Sequence, residues 1–337
     1  MGVSRLRRSL LLSFLFNFYP MATYLHQHKD FPDLLSIISS ETGILPQLIE
    51  KDYWIMHVLY GLKQQGFAFE LKGGTSLSKG YNIIHRFSED IDIRIMPPEG
   101  QNVQVDPKKI KDAHVASRKD YYDWLAGAIS IDGIIAVERD TAFDDQRYYR
   151  SGGIRLIYES VTGSVPGLKD GILLEAGFDT VTPNTLVTIS SWAYDKAAAT
   201  PGIAITDNRA MDVACYHPGY TFVEKLQTIA TKFRQQQSDG MIRPNLLRQY
   251  YDVACLLDHQ DVAGFIGTDM YIAHRAERFP KLDLEIPLAE NQAFLLEDAV
   301  LRAAYETQYV ATAALYYKGQ PAFADLLARI KKELSRF

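Results

Sequence analysis

The sequence predicts an α+β fold, a mixed sheet with flanking helices followed by an all-helical half, and three observations predict it. Short strand-like runs alternate with helical stretches up to about residue 217. From Tyr220 onward the periodicity is helical almost without break. Residues 71–95 read as strand end, glycine turn, helix and strand, a frame that needs a sheet to carry it. A chain of 337 residues with 47% hydrophobic content can fill one large core or two modest ones, and 23% charged residues exclude wholesale disorder.

The opening places Arg5, Arg7 and Arg8 before an apolar run over residues 10–18. That resembles the start of a signal peptide, but the run is too short to span a membrane and no small-residue cleavage site follows it cleanly. Met21 is therefore read as the functional start and residues 1–20 as a poorly packed extension, leaving domains at 21–217 and 218–337. Residues 30–39 and 41–65 are expected as helices, the second stopped by Gly66. Residues 67–71 form a strand into the glycine turn, 76–84 a helix out of it, and 91–95 a second strand ended by Pro97-Pro98. A helix over 107–129 precedes strands at 134–138, 154–160, 172–178 and 186–192. The C-terminal helices are expected at 220–236, 244–259, 262–276, 290–317 and 322–334.

The chemistry concentrates in Lys72-Gly73-Gly74-Thr75-Ser76-Leu77-Ser78-Lys79 and Arg86-Phe87-Ser88-Glu89-Asp90-Ile91-Asp92-Ile93. Alternation at period two puts Asp90 and Asp92 on one face of one strand. Two carboxylates side by side repel, so a cation belongs between them, and hard oxygen ligands suit Mg²⁺ carrying substrate phosphates. The glycine turn offers backbone N–H groups and hydroxyls where a triphosphate would lie. The hydroxyls of Ser76 and Ser78, followed by Lys79, read equally as helix caps or as groups that hold phosphate oxygens. Glu175, alone in the apolar run Ile172-Leu173-Leu174-Glu175-Ala176-Gly177-Phe178, is the third carboxylate, with Asp179 as competitor. A third acid in a two-metal site helps to activate the attacking hydroxyl.

Composition narrows the partners. A net charge of −5 requires any RNA to be held by a local patch. Candidates are Arg118, Lys119, Tyr121 and Tyr122, with Arg147, Tyr148, Tyr149, Arg150 and Arg155 as a second aromatic-basic cluster. Taken singly, each reads as core edge or solvated charge. Arg329, Lys331, Lys332 and Arg336 read as a solvated helix face. Cys215 and Cys255, without Cys-x-x-Cys pairing, point to a reducing, cytoplasmic setting, and the eight histidines lack metal-ligand spacing.

The order hydrophobic-Gly-Gly, Asp-hydrophobic-Asp and a later lone acidic strand residue resembles the nucleotidyltransferase superfamily with the polymerase-β-like core. The two long motifs are similar to those of the AbiEii/AbiGii toxin family, which includes the MenT-type toxins. Glu50-Lys51-Asp52-Tyr53-Trp54 resembles that family's N-terminal helix motif, Thr221-Phe222-Val223-Glu224-Lys225-Leu226 its lysine motif, and Arg248-Gln249-Tyr250-Tyr251-Asp252 its last motif. The last commonly carries Arg-His. Here Gln249 follows Arg248, which removes a titratable ring. The resemblance spans about residues 24–260.

The resemblance implies a nucleotidyltransferase-type sheet and a toxin of a toxin–antitoxin or phage-defence module. Such a protein moves a nucleotide from an NTP, with Mg²⁺ (or Mn²⁺), to an acceptor hydroxyl, with the tRNA 3′ end as leading acceptor. A cognate antitoxin is the implied partner, and no membrane is involved. Asp90, Asp92 and Glu175 would hold metal. Gly73, Gly74, Thr75, Ser76, Ser78 and Lys79 would line the nucleotide, Lys225 would contact triphosphate or base, and Asp252 would orient Lys225 or the nucleotide. Arg248, four residues before Asp252, reads as its surface ion-pair partner or as a site group. Lys51 and Asp52, adjacent on a helix, cannot face the same way. A small-molecule or protein acceptor, or a non-catalytic binding module on the same fold, are the alternatives.

Overall fold

Seven strands form one mixed sheet: β1 (Ala68–Lys72), β2 (Asp90–Met96), β3 (Ile134–Arg139), β4 (Ser151–Tyr158), β5 (Ile172–Gly177), β6 (Asn184–Ile189) and β7 (Ala210–Tyr216). This computed structural model describes residues 22–163 and 168–337, so the extension expected at 1–20 lies outside the described residues. The strand order is β3-β4-β5-β2-β1-β7-β6. The β2–β5 and β1–β7 pairs are parallel and the other four antiparallel.

The alternation in β2 separates two unlike faces. Ile91, Ile93 and Ile95 are buried on one, and Asp90, Asp92 and Arg94 share the other. The apolar face is covered by α2 (Pro46–Gln64), after α1 (Phe31–Thr42), and by α4 (Asp112–Ala128), which follows the three-residue turn α3 (Gly73–Thr75). Gly152 of β4 has no side chain because the Tyr122 ring of α4 lies there, 2.6 Å from where a Cβ would sit. α5 (Trp192–Ala198) joins β6 to β7 on the same layer.

The helical half comprises α6 (Pro218–Asp239), α7 (Pro244–Leu256), α8 (Gln260–Phe265), α9 (Asp269–Arg278), α10 (Lys281–Leu284), α11 (Gln292–Leu295), α12 (Ala299–Val310) and α13 (Phe323–Glu333). It has its own core, from Phe222 to Leu334, which also takes in Leu77 and Ile84 from the segment after the glycine turn. The helical half reaches back to the sheet. Phe87 N–H donates to Leu315 O at 2.7 Å and Tyr317 N–H to His85 O at 3.2 Å, so residues 315–317 strap down the approach to β2.

Several expected boundaries move for local reasons. The helix expected over 41–65 starts at Pro46, because Gly43 (φ 73°) caps α1 in the left-handed conformation. The 76–84 helix is the short α3 followed by one wide turn, Ser76–Gly80, closed by Tyr81 N–H to Ser76 O and ended at Asn82 (φ 54°). The 107–129 helix begins at Asp112, because residues 104–109 are a loop held by Arg118. The 186–192 strand stops at Ile189, where Ser191 caps α5 through Tyr194 N–H. The 262–276 helix breaks at Gly267 (φ 82°), and 290–317 breaks at Leu296 (φ 42°) and again after Val310. The strand β7 and helix α5 were not expected. The β7 sequence, Ala-Met-Asp-Val-Ala-Cys-Tyr, lacks clean alternation and has Asp212 at φ 50°.

Arg118 is fully buried, with Nε donating to Tyr148 O at 2.8 Å and Nη1 to Gln104 O and Lys109 O at 3.0 and 3.1 Å. It organises two loops at once. Arg118→Ala should lower stability by about 2–4 kcal/mol in urea melts, because a fully buried side chain is lost and three part-buried carbonyls lose their donor.

Candidate active site

The register across three strands builds the site. Lys72 of β1 lies opposite Asp92 of β2, and Asp92 opposite Glu175 of β5. Strand spacing is about 4.8 Å, so the three side chains stand side by side on the polar face. Asp90 is two residues back on the same face, with Lys169 Nζ 3.2 Å from both of its oxygens. Among the described residues, neither Asp92 nor Glu175 receives a side-chain hydrogen bond or an ion pair. Burial, then the charges of Asp92 and Asp90, push the Glu175 carboxyl up to about 7 against Lys169 and Lys72. Burial also raises Asp92, opposed by Lys72 and reinforced by Asp90. Asp179, the competitor for the third acid, stands beyond the end of β5 and pairs with Arg278 at 3.7 Å.

The glycine pair is fixed by contact as well as conformation. Gly73 has φ 71°, and a Cβ there would lie 2.2 Å from Asp92 Oδ2. A Cβ on Gly74 would lie 2.5 Å from Ser88 Oγ. The turn therefore rests directly on the residues flanking and forming the Asp-x-Asp strand. Its hydroxyls are spent inward: Thr75 Oγ1 donates to Asp90 O at 2.5 Å, Ser76 to Gly73 O at 3.1 Å, and Ser78 to Thr75 O at 3.4 Å. Lys79, expected with the phosphates, donates instead to Asp52 Oδ1 at 2.6 Å. In the described arrangement these four side chains rigidify the turn, and its backbone is what borders Asp92.

The helical half supplies further cations and the acid that holds one of them. Asp252 on α7 is fully buried and accepts from Arg86 Nε and Nη2, both at 2.6 Å, and pairs with Lys225 Nζ of α6 at 2.9 Å. Burial works to raise the Asp252 pKa, but the two cations outweigh it and hold the carboxyl below its usual range. Arg248 does not pair with Asp252, whose oxygens are already taken. Its guanidinium meets the Asn245 side chain. Burial lowers the Arg248 pKa, and Arg86 adds to the shift, while Asp252, Glu89 and Asp90 oppose it. Lys232 is seven residues beyond Lys225 on the same face of α6. Burial lowers its pKa, as do Lys225, Arg243 and Arg248, while Glu175 opposes the shift. Lys225, Lys232 and Arg248 thus form a basic wall facing the carboxylates.

Three consecutive residues of α2 hold the periphery. Glu50 accepts from Val161 N–H at 2.9 Å, Thr162 N–H at 3.2 Å and Ser160 Oγ at 2.8 Å. Lys51 donates to Glu89 at 3.3 Å and to Lys169 O at 2.6 Å. Asp52 accepts from Lys79 and from Trp192 N–H at 2.8 Å. Successive helix positions are about 100° apart, so one turn addresses three segments.

Sequence reasoning missed Lys72, Arg86, Lys169 and Lys232. Lys72 and Arg86 stood inside the two quoted motifs without being given a role, Lys232 carried its spacing of seven from Lys225, and Lys169 carried no signal. Of the RNA candidates, Arg118, Tyr121 and Tyr122 are buried in structure, Lys119 pairs with Asp123, and Arg155 pairs with Asp140. Arg147 and Arg150 are exposed and flank Tyr148, 4.8 and 4.5 Å from its ring centroid. The C-terminal Arg329 and Arg336 make surface pairs with Glu333, and Lys331 and Lys332 are exposed. Two histidines distant in sequence do meet: His26 and His57 converge on Asp132. Their ring nitrogens already meet Tyr53, Asp132 and Asn208, which makes this a hydrogen-bond network.

A family profile described as "Nucleotidyl transferase AbiEii toxin, Type IV TA system" matches residues 57–329. The chain belongs to the AbiEii toxin family. The match begins after the Glu50–Trp54 motif and runs through the C-terminal helices, further than the motifs alone reach. No curated protein and no solved structure is significantly similar to the chain. Among the described residues, no helix is long and apolar enough to cross a membrane.

A divalent cation fits this AbiEii site, because Asp92 and Glu175 are crowded carboxylates without a described side-chain partner. Two outcomes follow. Gly73→Ala should abolish activity, since the added methyl displaces Asp92, and circular dichroism should remain native-like. Glu175 holds its proton to about pH 7 when folded. The unfolded chain releases it near about 4.3. The folded state binds more protons in that window, so stability present below it is lost as pH rises through about 7. In chelator, Glu175→Gln should flatten this loss by roughly 1–2 kcal/mol in calorimetric melts taken from about pH 5 to about pH 8.

Proposed function

We propose that this AbiEii protein transfers a nucleotide from an NTP to an acceptor hydroxyl, the tRNA 3′ end being the acceptor. The observation that carries the reading is the row Lys72, Asp92, Glu175, whose charges are felt by Lys225 and Lys232, with Arg248 acting on Asp90. Acids on one wall and cations on the other suit a polyphosphate bridged to the acids by a divalent ion.

Asp90, Asp92 and Glu175 would hold Mg²⁺ or Mn²⁺, which supplies Lewis-acid polarisation of the phosphoryl group. Lys225 and Lys232 bind the β- and γ-phosphates, and the Gly73-Gly74 backbone lets them approach Asp92 closely. Asp252 and Arg86 keep the Lys225 ammonium in place. Glu175 would help to take the acceptor hydroxyl's proton. The acceptor oxygen bonds to the α-phosphorus, the bond from that phosphorus to the α–β bridging oxygen breaks, and pyrophosphate leaves.

The type IV system named in the family description supports a cognate antitoxin as partner in the cytoplasm. The net charge of −5 favours, as a second reading, a small-molecule or protein acceptor for the same chemistry. Salt separates the two, because RNA binding weakens steeply as salt rises.

The test is incubation with each labelled NTP and total tRNA in Mg²⁺ or Mn²⁺. Label on tRNA from at least one NTP is expected, and no label from any would refute the reading. Asp92→Asn should cut transfer by about 10³-fold or more, and Lys225→Ala by roughly 10²-fold. Both should relieve growth inhibition in cells, whereas a sequestering protein would stay toxic.

A further inference from the structure

The face that carries the acids continues past Glu175 onto β4. Gly153 of β4 stands opposite Glu175, and Arg155 opposite Leu173, which in turn stands opposite Asp90. Opposed residues of neighbouring strands share a face, so the row Lys72, Asp92, Glu175 ends at Gly153. The other face of β4 is closed by α4, where the Tyr122 ring takes the place of a side chain on Gly152. Phe143 takes the corresponding place on the acid face: a Cβ on Gly153 would lie 2.8 Å from Phe143 Cβ. Phe143 closes the short turn Thr141–Phe143 between β3 and β4. It therefore stands next to Glu175 on the β4 side, across the acids from the Gly73-Gly74 turn that β1 delivers.

The turn holds this ring in a fixed place. Gly153 N–H donates to Asp144 Oδ1 at 3.0 Å, Asp140 N–H to Gly153 O at 2.9 Å, and Phe143 N–H to Asp140 O at 3.0 Å. Arg139 Nη2 donates to both Asp144 oxygens, at 3.0 and 2.8 Å. Lys169 Nζ lies 4.5 Å from the centre of the Phe143 ring and 3.2 Å from both Asp90 oxygens, so one cation joins the ring to the acids. The Arg155 guanidinium lies 5.8 Å from the same ring centre. The ring is nevertheless partly exposed, and among the described residues it belongs to neither hydrophobic core. A flat apolar ring fixed through its backbone, flanked by cations and not spent on core packing, suits a ligand that is itself flat and attached to phosphate.

We infer that Phe143 is the stacking platform for the 3′-terminal base of the RNA acceptor. The assignment rests on the nucleotidyl-transfer reading above. In-line displacement needs the incoming oxygen and the leaving pyrophosphate on opposite sides of the α-phosphorus. A triphosphate on the glycine-turn side leaves the Glu175 side for the acceptor, and Phe143 is the aromatic group on that side. The base lies on the ring, aromatic faces being general platforms for unpaired bases. Its ribose then sits beside Glu175. The terminal hydroxyl gives its proton to Glu175 and its oxygen to the α-phosphorus, while the bond to the α–β bridging oxygen breaks and pyrophosphate leaves toward the glycine turn. Stacking on one ring reads no base edge, so the platform accepts any unpaired terminal base and excludes a paired end.

The test uses the full chain. Phe143→Ala should weaken equilibrium binding of deacylated tRNA, measured without NTP, by about tenfold. It should raise KM for tRNA to a similar extent while leaving KM for the NTP within about twofold. Phe143→Leu, which keeps apolar volume but not the flat ring, should act in the same direction, and Phe143→Tyr should keep tRNA binding within about twofold of the unaltered protein. In the unaltered protein, an RNA oligonucleotide ending in 3′-terminal 4-thiouridine should photocross-link to the peptide carrying Phe143. Unchanged tRNA binding in both folded Phe143→Ala and Phe143→Leu proteins, a rise in KM for the NTP instead of the tRNA, or cross-links that map elsewhere or fail to form would overturn the assignment. Total tRNA left unlabelled by the unaltered protein with every NTP refutes the transferase reading and the acceptor assignment with it. Labelled tRNA together with unchanged binding by the variants refutes the platform alone.

Discussion

Asp90, Asp92 and Glu175 crowd into one strand spacing on one face of the sheet, and like charges at that distance cannot all stay ionised without cations nearby. The surroundings read as a response to that constraint. Lys72 stands beside Asp92 in the same row, and Lys169 neutralises Asp90 from the β5 side. Lys225, Lys232 and Arg248 approach from the helical half, each partly desolvated and none satisfied by an acid of the row. Repulsion within the acids and repulsion within the cations are what the proposed divalent ion and polyphosphate would relieve together.

Orientation of the basic wall depends on one buried carboxylate. Asp252 holds Arg86 from the sheet half and Lys225 from the helical half. Removing it would leave two buried cations uncompensated, which is far costlier than losing a surface pair. The same junction is tied by the strap at residues 315–317 and by Leu77 and Ile84, which leave the glycine turn and end in the second core. The two halves are thus joined where the chemistry needs them registered, and the family match running to residue 329 agrees with a helical half integral to the AbiEii fold.

Glu50, Lys51 and Asp52 illustrate how a helix can act as a hub. Each is at most 3% exposed, yet each is charged, and each reaches a different segment. Buried charge of this kind contributes specificity of arrangement more than net stability, since desolvation offsets much of the pairing. Lys79 and the turn hydroxyls belong to the same framework, and their hydrogen bonds keep the Gly73-Gly74 backbone against Asp92.

Much of the fold was legible where periodicity was clean. The Asp-Ile alternation alone dictated that both aspartates share a face, because the side-chain period of a strand is two. The apolar run around Glu175 marked a buried strand with one exceptional acid. Gly66 was read as a helix stop, but the left-handed Gly43 and Gly267 were read through, and Leu296 was missed because nothing in a leucine announces that conformation. β7 escaped because a central strand defined by its neighbours needs no alternation of its own. What only the tertiary structure decided was partnership. The local sequence places Arg248 and Asp252 one helical turn apart, but Arg86 and Lys225 arrive from other segments and take both carboxylate oxygens. Likewise Lys72, Lys169 and Lys232 become site residues only through strand register and helix docking, long-range contacts that no local pattern encodes.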